Sequence, residues 1–196
     1  MNMICQKFFR TRFRLLGLLS CLLLISSCNY YNKMRIKYIV NHQIGKTLDF
    51  SWPGFQIFPD SISSDYEIKK PVSIVAYIDD GLCGDCFAGY LRAAEMIVNK
   101  FHSDCIQYVC ITYPRSIDEL QQSLSKANVD STKVLVLYDS NNKYLSNNSI
   151  TKIPDGFNVF LIDDKRRIKL IGDPIRKKSV FDLYKPKIES MLDVVE

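Results

Sequence analysis

The most constraining feature of the sequence is a short apolar run that is followed at once by a helical pattern. The run VSIVAYI (Val72–Ile78) is almost entirely apolar and rich in β-branched side chains, as is typical of a strand buried on both faces of a sheet. Between Cys83 and Phe101, apolar residues then recur at intervals of three and four, which is the spacing of an amphipathic helix. The sequence therefore predicts a strand that leads through a short loop into a helix.

Strand and helix patterns continue to alternate downstream. Ser116 begins a helical stretch as its N-cap, and Glu119 completes a capping box. Residues 164–166 separate two short strands and predict a β-hairpin. A closing helix is predicted over Ser179–Val194, which Pro186 should kink or divide. The further strands are CIQYVCITY, KVLVLYD, NVFLID and RIKLIGD. This order predicts an α/β sheet with helices on both faces.

The N-terminus has the layout of an export signal. A stretch with four basic residues and no acidic one is followed by about 11 apolar residues and then by Ser26-Ser27-Cys28. Such an apolar run is too short to span a bilayer, which needs about 20 residues. The small residues before Cys28 are similar to the lipobox of bacterial lipoproteins, in which the cysteine is lipidated. We expect a signal over 1–27 and a lipid-anchored domain in the cell envelope; an uncleaved anchor or a soluble secreted protein is the alternative.

Charge gives no support for nucleic-acid binding. The formal net charge of the whole chain is +5, but the signal carries four of the positive charges and no negative one. The mature chain is therefore close to neutral, and the basic pI belongs largely to a removed peptide. Residues 28–44 are polar, tyrosine-rich and without clear periodicity, and we interpret them as a membrane tether. The remaining residues, 45–196, suffice for one domain, which we expect to be a monomer.

Four cysteines remain after Cys28, and their compartment permits disulfides. Cys83 and Cys86 are separated by Gly84-Asp85, at the end of the predicted strand and the start of the predicted helix. A helix N-terminus stabilises a thiolate and lowers the thiol pKa. Cys86 follows one turn later, within disulfide reach and more shielded, so that Cys83 would attack and Cys86 resolve. The Asp85 carboxylate disfavours the Cys83 thiolate. A less stabilised thiolate makes the Cys83–Cys86 disulfide more stable, so we expect a reducing rather than a strongly oxidising protein.

Other interpretations of the pair remain open. Cys83 and Cys86 could form a permanent bridge, or half of a metal site that needs two further ligands. Cys105 and Cys110 lie five residues apart on a predicted strand and should face opposite ways, so we expect two free thiols. His42 and His102 are isolated, and no metal or cofactor is expected. Asp79 and Asp80 are interpreted as ordinary loop residues.

The order of these motifs resembles the thioredoxin superfamily, especially its membrane-anchored thiol–disulfide oxidoreductases. The resemblance rests on VSIVAYI leading to CGDC and its helix, on KVLVLYDSNNK, and on FLIDDKRRIKLIGDP. It implies a thioredoxin-like fold, with a central mixed sheet flanked by helices, that exchanges disulfides with exported proteins through Cys83 and Cys86. A non-catalytic thioredoxin-like binding module is the alternative. A peroxidase is disfavoured because IDDGLCGDC lacks the Pro and Thr/Ser approach to a lone reactive cysteine.

Two positions depart from the pattern of that superfamily. Leu82 stands where the superfamily usually has a tryptophan before the first cysteine. Phe157 aligns with its cis-proline, and Pro154 lies three residues earlier. The resemblance implies that this proline loop faces the dithiol and helps to dock the partner chain. The two departures bear on how efficiently the protein acts, but the dithiol remains.

Overall fold

The computed structural model describes residues 31, 33–50, 55–58, 68, 70–78, 83–113, 116–150 and 158–194. Within residues 55–58 only the backbone is described. Predictions that concern Cys28, Asp79, Asp80, Leu82, Pro154 and Phe157 lie outside these residues. The chain divides into two units, Met1–Asn41 and His42–Glu196.

Residues 33–43, which lie within the expected tether and whose sequence shows no clear periodicity, form a helix (α1). Ile36, Ile39 and Gln43 follow one another at helical spacing, and Ile39 and Gln43 are buried. The sequence concealed this stripe because only two of its three members are apolar. None of the helices in the described part of the chain combines the length and the hydrophobicity that a membrane span requires.

The second unit is built on a six-stranded mixed sheet. Its strands and helices are β1 (Phe55–Phe58), β2 (Val72–Ile78), α2 (Gly84–Asn99), β3 (Ile106–Thr112), α3 (Ile117–Ala127), β4 (Val134–Asp139), α4 (Tyr144–Asn147), β5 (Val159–Ile162), β6 (Ile168–Ile171) and α5 (Lys178–Leu192). The strand order is β1-β4-β3-β2-β5-β6. The three central strands β2, β3 and β4 are parallel, and the outer pairings are antiparallel. The predicted strands and the hairpin of β5 and β6 are confirmed.

The two faces of the sheet are covered unequally. The three long helices pack on one face, where Leu91 of α2, Leu120 of α3 and Ile188 of α5 belong to a single apolar cluster. The other face is covered by the segment around Leu48 and Phe50 and by Tyr144 of the one-turn helix α4. The mixed sheet flanked by helices is confirmed, but the long helices do not divide between the two faces. Because β2, β3 and β4 follow one another across the sheet, α2 and α3 connect them on the same side.

Two details of the helices differ from the predictions. Ser116 is the N-cap of α3, but its side chain makes no capping hydrogen bond, so the predicted capping box is wrong. Ser116 is also only half-buried, and water can satisfy the exposed N–H groups of this first turn. Pro186 does not divide the last helix, since α5 runs unbroken from Lys178 to Leu192. Burial of Tyr184, Ile188 and Leu192 against the core stabilises both sides of the proline.

Candidate functional site

Cys83 follows β2 in the chain and directly precedes α2. β2 is buried along its whole length, and it pairs with β3 on one side and β5 on the other. Cys83 is the N-cap of α2, in an extended conformation with φ −63° and ψ 155°. The Cys83 carbonyl accepts the first helical hydrogen bond, from the Phe87 N–H at 2.9 Å. The predicted position at the start of the helix is therefore confirmed.

The first turn of α2 directs a backbone donor at the Cys83 sulfur. The N–H of Cys86 donates to Cys83 Sγ at 3.3 Å. A backbone donor at a helix N-terminus stabilises negative charge on the atom it faces. The pKa of Cys83 lies below the ordinary thiol value because the Cys86 side chain and the Cys86 backbone N–H both hydrogen-bond to it, although Asp85 opposes the shift. The lowered pKa expected for Cys83 agrees with this geometry.

Cys86, which we expected to be more shielded than Cys83, is itself exposed. Cys83, Gly84, Asp85 and Cys86 are all exposed, and burial begins only at Phe87. The first turn of α2 projects beyond the apolar cluster, so both thiols are accessible to solvent. The pKa of Cys86 is raised, chiefly because its thiol hydrogen-bonds to Cys83 and because a Cys83 thiolate would repel a second anion. The two cysteines are thus both exposed, and they differ in charge preference.

Asp85 is held by residues that lie far away in the sequence. Lys126 at the end of α3 places its Nζ 2.8 Å from Asp85 Oδ1. This contact lowers the pKa of Asp85, so the carboxylate is ionised at neutral pH. Arg92, two turns further along α2, adds a smaller favourable charge. No local pattern predicts this pairing, since Lys126 lies 41 positions after Asp85 in the sequence.

Cys105 and Cys110 lie apart from the dithiol. Cys110 is fully buried in β3, and burial raises the pKa of its thiol, with the carboxylate of Asp173 adding to the effect. Cys105 precedes β3 and packs partly buried against the same apolar cluster as Cys110. The expectation that they face opposite sides of a strand is therefore wrong, because only Cys110 is in the strand. Neither is bonded in this structure, in which the dithiol is also reduced.

The described residues offer no metal site at the dithiol. Among them, no three His, Cys, Asp or Glu side chains come together in a way that could hold a metal ion. His102 is exposed at the turn after α2, and His42 is exposed in α1. What the site holds is an exposed pair of thiols with unequal pKa values.

Comparison with solved structures identifies the fold of this chain. No protein-family model and no curated protein matches the sequence. Solved structures do match in three dimensions. A domain of a possible thiol-disulfide isomerase from Cytophaga hutchinsonii superposes with a TM-score of 0.54 at 12% identity, over 75% of this chain and 96% of that one. The fold is thioredoxin-like.

Two further structures with this fold have the same extent. An uncharacterized thioredoxin-like protein from Porphyromonas gingivalis has a TM-score of 0.53 at 10% identity, over 76% of this chain and 95% of that one. A proposed thiol:disulfide interchange protein DsbE from Chlorobium tepidum has a TM-score of 0.52 at 14% identity, over 76% of this chain and 97% of that one. At these low identities, the superpositions show a shared architecture alone. The chemistry has to be argued from the site itself.

Proposed function

We propose that this protein is a lipid-anchored thiol–disulfide oxidoreductase that acts on exported proteins through Cys83 and Cys86. The observation that carries the proposal is the exposed Cys83 sulfur, which accepts the Cys86 N–H at 3.3 Å at the start of a helix. This arrangement provides an accessible thiolate together with a second thiol one turn away. The Cytophaga and Chlorobium structures with this fold are named for thiol–disulfide chemistry, which agrees with such a role.

The reaction follows from the two unequal thiols. In the direction of substrate reduction, the Cys83 thiolate attacks a substrate disulfide and forms a mixed disulfide, and the substrate's other sulfur leaves as a thiolate. Cys86 then loses its proton and attacks Cys83 Sγ. This step closes the Cys83–Cys86 disulfide and releases the second substrate thiolate. Two electrons pass to the substrate, and the same steps in reverse oxidise a substrate dithiol.

Trapping of the mixed disulfide tests this proposal. Cys86→Ser removes the resolving thiol, so it should leave Cys83 joined to partner proteins as adducts that a reductant dissolves. The control Cys83→Ser retains Cys86 and should trap far less. If Cys86→Ser traps nothing and Cys83→Ser retains activity on a disulfide substrate, then the thioredoxin-like binding module becomes the better assignment.

The location is part of the same proposal and is tested separately. The lipobox-like Ser26-Ser27-Cys28 supports cleavage before Cys28 and lipidation of its thiol. We expect the mature protein to fractionate with membranes and its N-terminal peptide to carry the mass of a lipid. Cys28→Ala should prevent both cleavage and lipidation. An unmodified Cys28 in the mature protein would contradict the anchor without touching the dithiol chemistry.

A further inference from the structure

The dithiol carries a negative charge between its two cysteines, and α3 supplies the matching positive charge. In the sequence, Asp85 lies between Cys83 and Cys86 and directly precedes Cys86. Its carboxylate forms an ion pair with Lys126, with Nζ and Oδ1 2.8 Å apart, although both side chains are largely exposed, at 57% for Lys126 and 81% for Asp85. The carboxylate that acts against the Cys83 thiolate is therefore paired to a residue of another helix.

Two further contacts hold the end of α3 beside α2. Arg92 Nη1 donates to the backbone carbonyl of Lys126 at 3.0 Å, so the lysine's own main chain is tied to α2. Ser123, one turn earlier in α3, is buried and approaches Gly84 closely, with its Oγ 3.0 Å from the position that a Cβ on Gly84 would occupy. Because the main chain of Lys126 is fixed by these contacts, its side chain has a short and defined reach to Asp85.

We propose that Lys126 is a positioning residue for the dithiol, which binds Asp85 and thereby limits the effect of this carboxylate on the Cys83 thiolate. The inference depends on the proposed function at one point, namely that the Cys83 thiolate takes part in disulfide exchange. It concerns a residue 40 positions from Cys86 in the sequence, on a helix that carries no cysteine.

The electrostatic argument has a definite sign. A free carboxylate next to Cys83 would disfavour the thiolate and raise the thiol pKa, and Asp85 does act in this direction. A cation 2.8 Å from that carboxylate presents Cys83 with an ion pair in place of a bare negative charge. Among the residues that the structure describes, the other charged or titratable groups that act on Cys83 and Asp85 are Cys86 and Arg92. Removal of Lys126 should therefore raise the pKa of the Cys83 thiol. It should leave the fold intact, since exposed ion pairs contribute little to folding.

The test is a double-mutant cycle read out as the pH profile of Cys83 alkylation in the full chain. Iodoacetamide modifies the thiolate, and peptide mapping assigns the rate to Cys83. At low salt, Lys126→Met should shift the midpoint of the profile to higher pH and slow modification at pH 7 by about two- to threefold, in keeping with one exposed charge pair. Asp85→Asn should shift it to lower pH. In the Asp85→Asn background, Lys126→Met should have almost no further effect.

Lys133, in the turn before β4, offers a matched control that also contacts α2. Its Nζ binds Asn99 Oδ1 at 2.8 Å at the opposite end of α2, so Lys133→Met should leave the Cys83 profile unchanged. High salt should shrink the effect of Lys126→Met, because it screens exposed charges. The proposal is overturned if Lys126→Met leaves the profile unchanged, or shifts it equally with and without Asp85. Alkylation reports on the thiolate whether or not disulfides are exchanged, so a failure of mixed-disulfide trapping contradicts only the proposed function.

Discussion

Cys83 and Cys86 lie one helical turn apart and are both exposed to solvent, yet they prefer different protonation states. Cys83 accepts hydrogen bonds from Cys86, which favour its anion, whereas the same interaction keeps the proton on Cys86. The dithiol therefore loses its protons in two steps that belong to the pair. The first proton leaves from Cys83, and this makes Cys83 the nucleophile.

Alkylation of the reduced protein should follow this order. Because the pKa of Cys83 is lowered, its rate of modification should rise with pH through a midpoint below that of an ordinary thiol. Cys86 should react more slowly at pH 7, and Cys110 should react only on unfolding because it is fully buried. The measurement is peptide mapping after brief labelling at several pH values. Faster labelling of Cys86 than of Cys83 would contradict the assignment of roles.

At the scale of residues, the sequence predicted only what depends on near neighbours. The position of Cys83 at a helix start and the opposing charge of Asp85 follow from local order, and both agree with the structure. The exposure of Cys86 depends on where α2 first meets the core, which no local pattern specifies. The partner of Asp85 depends on how α3 packs beside α2. Lys126 therefore could not be foreseen.

At the scale of elements, α3 approaches the first turn of α2 closely, where the dithiol begins. Gly84 leaves room for Ser123 Oγ, which donates to the Glu119 carbonyl at 2.7 Å. Gly84→Ala would place a methyl group 3.0 Å from that oxygen, which is tighter than most such contacts, so Ser123 would have to shift. We expect it to lower the free energy of unfolding by about 1 kcal/mol, at the low end for overpacking, as measured by urea denaturation.

Gly89 provides the control within the same helix. A Cβ at Gly89 would meet no atom within 4 Å, so Gly89→Ala should stabilise the protein by about 0.5–1 kcal/mol through helix propensity. Adding Ser123→Ala should relieve the clash and recover most of the loss caused by Gly84→Ala. Equal gains in stability from Gly84→Ala and Gly89→Ala would show that α3 does not press on the first turn of α2.

The hairpin of β5 and β6 is organised around one buried carboxylate. Asp163 Oδ1 accepts the N–H groups of Lys165 and Arg167 at 3.0 and 2.8 Å. Its Oδ2 forms ion pairs with Arg167 Nη2 at 2.8 Å and Lys169 Nζ at 2.9 Å. Burial opposes the charge on Asp163, but the Arg167 N–H and the two cations outweigh burial and lower its pKa.

The lowered pKa of Asp163 makes its contribution to stability dependent on pH. A folded-state pKa below the unfolded value of about 3.9 means that the contribution is present at neutral pH and is lost as the pH falls through the folded pKa. Asp163→Asn should therefore reduce the free energy of unfolding by about 1–3 kcal/mol at pH 7 and by less near pH 3, which lies below the unfolded pKa. Urea denaturation at both pH values measures the difference.

Asp164 is the natural control for that experiment, since it is the exposed neighbour in the same turn. Asp164→Asn should change stability little at either pH. If Asp163→Asn cost the same at pH 3 as at pH 7, then its effect would not come from the ionised carboxylate.

The sequence predicted the elements better than it predicted their ends and their faces. The strand at Val72–Ile78 and the hairpin came from apolar periodicity, which directly reflects burial. The missing cap at Ser116 and the unbroken helix through Pro186 depend on tertiary packing, which outweighs local preference. The placement of α2 and α3 on one face follows from strand order, and strand order is fixed by pairing between distant segments. The helical residues 33–43 escaped prediction for a simpler reason, since their buried stripe includes the polar Gln43.

At the scale of the whole molecule, the mixed sheet presents the dithiol at the end of its central parallel strands. β2 is paired on both sides and is wholly buried, so the strand that leads to Cys83 is firmly held. The exposed first turn of α2 then offers both sulfurs to a partner protein. A thioredoxin-like fold is compatible with catalysis and also with simple binding, so the reaction has to be established by turnover.

The most direct measurement of the central claim is turnover of a protein disulfide such as that of insulin, with a small dithiol as the electron donor. The purified chain should accelerate reduction well beyond the dithiol alone. Cys83→Ser should abolish the acceleration, and the control Cys105→Ser, which alters a half-buried cysteine outside the site, should retain it. A wild-type rate no faster than that of the dithiol alone, or full activity in Cys83→Ser, would contradict the account.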